Sequence, residues 1–271
     1  MAHSTLDSDF FDLPTPRVIA HRGASGEYPE NTLPAFHAAA EAGAPYFELD
    51  VHMTRDGVVV VSHDAELGRT CGLDAAISDL TLAELKQADA GWGFTTTATA
   101  TTAGDGGFSF RGRGIEVPAL AEVFAAFPER RYVIEIKQSE PSLAAALLDV
   151  IERAGMRRRV LVAGEDHVPI DELRSLAPKL PTGFPYREIA GFMAALAPGA
   201  ESYQPRGEAL QIPPEYQSWR LVTPHSVAAA HRIGAEVHVW TVNDVAEMRA
   251  MLELSVDGII TDYPARLLAL L

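Results

Sequence analysis

The sequence predicts an α/β fold, a TIM-type (β/α)8 barrel with an insertion after the second strand region, on three observations. Short apolar runs alternate with capped amphipathic segments along most of the chain; polar residues gather just beyond the C-terminal end of the apolar runs; and the strand–helix units number about eight, at which a parallel sheet closes on itself. The 271 residues would suit nearly two average domains, but a barrel of this kind fills about 250 residues as one. We therefore expect one domain over residues 17–271, with an insertion at 67–117, preceded by a flexible arm at 1–16.

Met1 to Pro16 carries Asp7, Asp9 and Asp12 and has neither a basic segment nor a continuous apolar run, so it reads as a loosely attached arm and not a secretory signal. Arg17-Val18-Ile19-Ala20 reads as a buried strand that stops at His21-Arg22-Gly23. Asn31 or Thr32 caps a helix running to about Ala42, with Gly43 as its stop. Phe47 to His52 alternates, so Glu48, Asp50 and His52 share one face of a strand and Phe47, Leu49 and Val51 are buried on the other. Asp56-Gly57 turns the chain into the β-branched run Val58 to Val61, which ends in Ser62-His63-Asp64.

From Leu67 to Val117 the rhythm breaks. Leu80 to Leu85 looks like a capped helical segment, and Thr95 to Gly107 is too poor in apolar bulk to pack as a core element. We read the latter as the mobile tip of a surface loop, with a lid or substrate-selecting flap as the alternative. Regular alternation resumes at Pro118 with a helix to about Phe127, a strand Tyr132 to Lys137, a helix Leu143 to Ala154, a strand Arg159 to Val162, a helix Ile170 to Leu176 and a weak strand Leu180 to Thr182. Short segments follow at Ile189 to Leu196, Ser202 to Gln204 and Ala209 to Ile212. The end reads as helix Ser226 to Ile233, strand Glu236 to Thr241, helix Val245 to Leu254, strand Asp257 to Ile260 and helix Ala265 to Leu271.

Hydrophobic residues make up 47% of the chain and the mean hydropathy is +0.02, enough to build a sizeable core. A formal net charge of -15 argues against binding nucleic acid or an anionic membrane, both of which need clustered cations. It still allows an anionic small molecule, because a local Arg, Lys or metal reverses the potential inside a pocket. Cys71 is the only cysteine, so no intrachain disulfide forms and a reducing, cytoplasmic setting is expected. No stretch is apolar over the length needed to span a bilayer, and no stable membrane association is expected.

Projected onto one rim, the strand ends bring together His21 and Arg22, Glu48 and Asp50, His63, Glu135 and Lys137, and Trp240 with Asn243. Two crowded carboxylates repel unless a cation neutralises them, and Glu48, Asp50 and Glu135 are hard oxygen ligands suited to one divalent cation, Mg²⁺ or Ca²⁺. His21 and His63 suit general acid and base work at neutral pH. Arg22 and Lys137 offer fixed positive charge to a phosphate, and Trp240 an apolar ring for a small alcohol or headgroup. The remaining polar residues take bland readings: His52 and His238 as pocket walls or packing groups, His37, His167, His225 and His231 as surface groups, Asn243 as a loop anchor, Asp257 and Asp262 as turn or cap residues, and Trp92 with Phe94 as a satellite core.

The same strings, His21-Arg22-Gly23, Pro29-Glu30-Asn31-Thr32, Glu48-Leu49-Asp50-Val51, Asp56-Gly57, His63-Asp64, Glu135-Ile136-Lys137, Trp240-Thr241-Val242-Asn243 and Asp257 to Asp262, in this order, resemble the glycerophosphodiester phosphodiesterase family from about residue 17 to the C-terminus. The resemblance implies the barrel and metal-dependent hydrolysis of a small glycerophosphodiester to glycerol 3-phosphate and an alcohol. It implies Glu48, Asp50 and Glu135 as metal ligands, His21 and His63 as the acid–base pair, and Arg22 and Lys137 as phosphate contacts. Glu30 would sit beside the metal site as a ligand or a substrate contact, Asn31 would be a supporting residue, Asp64 would orient His63 or cap its loop, and the insertion would cover part of the glycerol side. Two rivals remain, a lysophospholipase D acting on lysophospholipids and a non-catalytic phosphate-binding barrel. The headgroup, the choice of cation and the oligomeric state are left open.

Overall fold

The computed structural model describes residues 8–95, 108–197, 199 and 203–271. The first unit is β1 (Arg17–His21), α1 (Leu33–Ala42) and β2 (Tyr46–Met53), and β3 (Val59–Val61) folds back antiparallel on β2. The insertion contributes α2 (Gly68–Cys71) and α3 (Leu82–Leu85). After it come α4 (Leu120–Ala126), β4 (Arg131–Ile136), α5 (Ala144–Arg153), β5 (Val160–Ala163), α6 (His167–Leu176), α7 (Tyr186–Ala194) and β6 (Ala209–Ile212). A hairpin of β7 (Glu215–Tyr216) and β8 (Trp219–Arg220) precedes α8 (Pro224–Arg232), β9 (Glu236–Val239), α9 (Val245–Glu253), β10 (Gly258–Thr261) and α10 (Pro264–Leu268).

Parallel pairing runs β5–β4–β2–β1–β10–β9–β6. The two ends meet through a stave of single bridges, Val162 with Thr182 and Gly183 with Ala209. That stave is the weak strand expected at Leu180 to Thr182, and it completes the ring of eight. The outward residues of β2, Phe47, Leu49 and Val51, join Phe36, Phe124 and Tyr132 in the layer beneath the helices. Phe36 of α1 stacks on Phe47 at 5.3 Å between ring centres; burying one such ring contributes about 1.5–3 kcal/mol. The inward face is a second, smaller core of Ile19, Tyr46, Val133, Leu161, Ala163, Ala209 and Ile260. With the barrel interior filled by these side chains, Glu48 and Asp50, further along β2, are left to face its C-terminal mouth.

Residues 8–16 correct the expectation of a loose arm. Phe10 is fully buried, packs edge-on against Tyr46 at 5.1 Å, and caps the N-terminal end of the barrel. Asp9 donates its N–H to the Arg158 carbonyl at 2.6 Å. Arg17 reaches the Tyr46 hydroxyl at 2.7 Å and the Phe11 carbonyl at 3.0 Å, and pairs with Glu236 through Nε at 2.8 Å and Nη2 at 2.6 Å. The barrel's lower opening needs an apolar stopper, and Phe10 supplies it, with Phe11 and Leu13 packed against the same core. Residues 1–7 lie outside the described residues.

The insertion forms its own small core of Leu67, Cys71, Ile77, Leu85, Ala90, Ile115 and Val117 against Val60 of β3. Thr81 caps α3 through a reciprocal bond with Glu84. Trp92 and Phe94 pair with Phe108 and Phe110 respectively. The threonine-rich tip falls, apart from Thr95, outside the described residues. The segment expected at 202–204 forms no element over its described part, residues 203–204, and of 189–196 the first six residues belong to α7, which ends at Ala194. Among the described residues no helix is long and apolar enough to cross a membrane.

Candidate active site

Each strand of one half of the barrel delivers a polar side chain to the C-terminal rim. β1 ends on His21, and the chain then turns through Arg22 and Gly23, both at positive φ (54° and 85°). Gly23 is required there on a second count, since a Cβ would lie 2.6 Å from the Ala35 carbonyl carbon. The turn donates the Arg22 backbone N–H to Glu48 Oε2 at 3.1 Å. In β2 and β4, Asp50 stands beside Glu135 in parallel register, so alternation places Glu48, Asp50 and Glu135 on one patch. Their oxygens lie within 4.8 Å of one another.

Burial and mutual repulsion set the charges. Glu48 is pushed up to about 8, first by burial and then by Asp50, and burial likewise raises Glu135, against the pull of Lys137. Burial works against ionised Asp50 too, but Arg22 and Lys137, with a hydrogen bond from Asn31, hold its carboxyl below the usual range. Asp50 Oδ2 accepts from Asn31 Nδ2 at 2.8 Å and lies 3.0 Å from Arg22 Nε. Asp50 Oδ1 is buried and receives no hydrogen bond, although the Lys137 ammonium is 3.4 Å away. A buried acceptor without a hydrogen bond, on a carboxylate within 4.8 Å of two others, is the donor set a hard divalent cation fits. Lys137 also donates to Glu135 Oε1 at 2.8 Å; burial opposes its charge, yet Glu135 and Asp50 hold its pKa above the ordinary value.

Both candidate histidines are fixed at Nδ1. His21 Nδ1 lies 2.6 Å from Asp262 Oδ1, and His63 Nδ1 lies 2.6 Å from Asp64 Oδ1. In each ring Nε2 is the nitrogen left for chemistry, and that of His21 is 3.9 Å from Glu48 Oε2. Desolvation disfavours the His21 cation, but the bond to Asp262 and the charge of Glu48 raise its pKa overall.

Asp262 therefore departs from the reading as a turn or cap residue: it holds His21, and it is itself held by Ser25 Oγ at 2.8 Å and Asn243 Nδ2 at 2.6 Å. Asn243, expected as a loop anchor, anchors this aspartate and also accepts the backbone N–H of Asp262 at 2.9 Å. The signal was present in the sequence, since Asp262 follows an apolar strand end as His21 and His63 do. Asp257 is elsewhere, accepting from Val237 N at 2.8 Å and His231 Nε2 at 2.7 Å.

A cavity of about 190 Å³ opens over these groups. His21, Arg22, Glu48, His63, Glu135 and Lys137 line one side, and Ala163, Phe184, Ile189 and Trp240, with the polar Glu165 and Gln211, line the other. Trp240, 39% exposed, stands where the sequence placed it. His52 does not line the cavity: it is buried, and its Nε2 meets the His63 carbonyl at 3.1 Å. His238 is remote, fully buried at the barrel base with Nε2 3.0 Å from Glu236.

Glu30 stands outside the carboxylate cluster. It accepts from Arg22 Nη1 at 3.0 Å and from Arg69 Nη1 at 2.6 Å and Nη2 at 2.8 Å. Arg69 Nε also donates to Asp64 Oδ2 at 2.6 Å. No sequence pattern pointed to Arg69, which lies inside the insertion.

A family model described as the glycerophosphoryl diester phosphodiesterase family matches residues 21–266. A glycerophosphodiester phosphodiesterase of Caldanaerobacter subterraneus subsp. tengcongensis is 32% identical over 93% of this chain and 96% of its own length. A lysophospholipase D of Mus musculus is 27% identical over 93% of this chain and 84% of its own. Among solved structures, a phosphodiesterase of Oleispira antarctica in complex with the product sn-glycerol-3-phosphate superposes with a TM-score of 0.74 at 25% identity, covering 94% of this chain and 96% of that one. A glycerophosphodiester phosphodiesterase of Thermotoga maritima gives 0.68 at 30% identity, covering 96% and 100%.

Proposed function

The chain belongs to the glycerophosphoryl diester phosphodiesterase family, and we propose that it hydrolyses glycerophosphodiesters to glycerol 3-phosphate and an alcohol, as one catalytic domain over residues 17–271. The observation that carries this is the meeting of three carboxylates, two cations and two aspartate-held histidines on one rim of the barrel.

Glu48, Asp50 and Glu135 would hold a divalent cation, Mg²⁺ or Ca²⁺, which when bound neutralises phosphate charge and polarises the scissile ester. Arg22 and Lys137 add fixed positive charge beside Asp50, where it stabilises charge developing on the phosphate oxygens. One histidine takes a proton through Nε2 from the attacking oxygen. The other gives a proton to the leaving alkoxide as the phosphorus–oxygen bond breaks, so no free alkoxide is released. Asp262 and Asp64 hold the two rings with Nε2 turned to the reaction. Trp240, Phe184 and Ile189 offer an apolar wall to one arm of the diester.

The acidic composition, which gives no attraction to an anionic lipid surface, favours a deacylated diester over a lysophospholipid. A single cysteine and an acidic composition suit a cytoplasmic setting. Activity against a panel of glycerophosphodiesters and lysophosphatidylcholine, after chelation and re-addition of each cation, tests the reading. Release of glycerol 3-phosphate that chelation abolishes is the expected result. Preferred turnover of lysophosphatidylcholine would shift the assignment to a lysophospholipase D, and no turnover of any diester would leave a phosphate-binding barrel.

A further inference from the structure

The insertion would be taken for a cover over the pocket, but one of its side chains reaches into the catalytic scaffold. Arg69, on α2, uses every arm of its guanidinium: Nε on Asp64 at 2.6 Å, and Nη1 and Nη2 on the two oxygens of Glu30 at 2.6 and 2.8 Å. Each acceptor is already engaged with the candidate machinery. Asp64 holds His63 Nδ1 at 2.6 Å, and Glu30 accepts from Arg22 Nη1 at 3.0 Å.

We infer that Arg69 is a positioning residue that fixes His63 and Arg22 together, one through Asp64 and the other through Glu30. The inference rests on the phosphodiesterase reading above. Each of the two carboxylates it bridges serves two partners, and without Arg69 each has a remaining partner on one side only. Asp64 would be free to rotate away from His63, and Glu30 would follow Arg22 toward Asp50. A planar fork is suited to spanning two carboxylates, and a single ammonium is not.

The placement of Arg69 is in turn set by the insertion. Gly93 donates its N–H to the Thr70 carbonyl at 3.0 Å, and it approaches so closely that a Cβ there would lie 2.0 Å from the Arg69 carbonyl oxygen. Trp92 lies against Gly72, where a Cβ would come within 2.3 Å of the indole. Through Arg69 the insertion thereby acts on the reaction from behind the histidine.

The test compares Arg69→Ala, Arg69→Lys and Gly93→Ala with the unmodified chain, on the diester that the unmodified chain turns over best. We expect kcat to fall about 10- to 100-fold in Arg69→Ala, the usual cost of losing a supporting contact, with KM within roughly threefold. Arg69→Lys should recover little, Gly93→Ala should reproduce part of the loss with every charged group in place, and guanidinium ion at millimolar concentration should restore kcat to Arg69→Ala. Unchanged kcat in Arg69→Ala, a loss carried by KM alone, full activity in Arg69→Lys, or no rescue by guanidinium would each overturn the assignment. Absence of turnover in the unmodified chain would instead overturn the phosphodiesterase reading on which it rests.

Discussion

Replacing Glu236 by glutamine should cost about 3 kcal/mol of folding stability at pH 7, and the cost should vanish in acid. Glu236 lies at the base of the barrel, away from the candidate site. Burial works against its ionised form, but hydrogen bonds from Arg17 and His238 outweigh it and lower the carboxyl from 4.5 to about 2. At 1.36 kcal/mol per pH unit, that difference corresponds to about 3 kcal/mol. A similar loss, about 3–5 kcal/mol, is usual when one partner of a buried pair is removed and the other charge is stranded. Arg17 is only 2% exposed, so glutamine would strand it. The sign follows from the depressed value: the contribution is complete above the unfolded carboxyl's 4.5 and disappears as pH falls through about 2. Urea unfolding of both proteins at a series of pH values measures the gap directly. A gap below about 1 kcal/mol at pH 7, or one that stays constant down to pH 2, would refute the reasoning.

Glu208 should behave in the opposite sense. Burial raises its carboxyl to about 7, so its share of stability is present below the ordinary 4.5 and is lost as pH rises through about 7; thermal unfolding at pH 8 should show Glu208→Gln more stable than the unmodified chain. His21→Ala and His63→Ala should each lose at least about 100-fold in turnover, with an unchanged circular dichroism spectrum. Asp262→Asn should lose about 10- to 100-fold in kcat by releasing the His21 ring, measured by steady-state kinetics on the preferred diester. Asp50→Asn should abolish calorimetrically detected Mg²⁺ or Ca²⁺ binding, whereas Trp240→Leu should leave it intact.

Local pattern made part of this site readable. The alternation from Phe47 to His52 placed Glu48 and Asp50 together, because strand geometry alone decides which side chains share a face. It could not separate His52 from them, since whether a residue on that face reaches the cavity depends on the returning β3 strand and the loop bearing His63. The closing stave was weak in sequence because only bridges at Thr182 and Gly183 join the ring. Phe10 gives no local signal, because its burial depends on an opening in the barrel base that no local window contains. Asp262 was underrated because a Thr-Asp pair after a strand also suits a helix cap, and the His21 it holds lies 241 residues away. Arg69 left no pattern at all, as its acceptors are brought together only when the insertion folds against the rim.

The cavity has one ionic wall, from β1, β2, β3 and β4, and one largely apolar wall, from β5, the closing stave, α7, β6 and β9, with Glu165 and Gln211 as its polar members. The two walls come from different stretches of chain. If that wall holds the leaving arm of the diester, as proposed, substitutions at Phe184, Ile189 or Trp240 should change the alcohol released while the hydrolytic apparatus stays the same. Selectivity and reactivity would then diverge on separate semicircles, and a library randomised on the apolar semicircle alone is the economical way to redirect the enzyme.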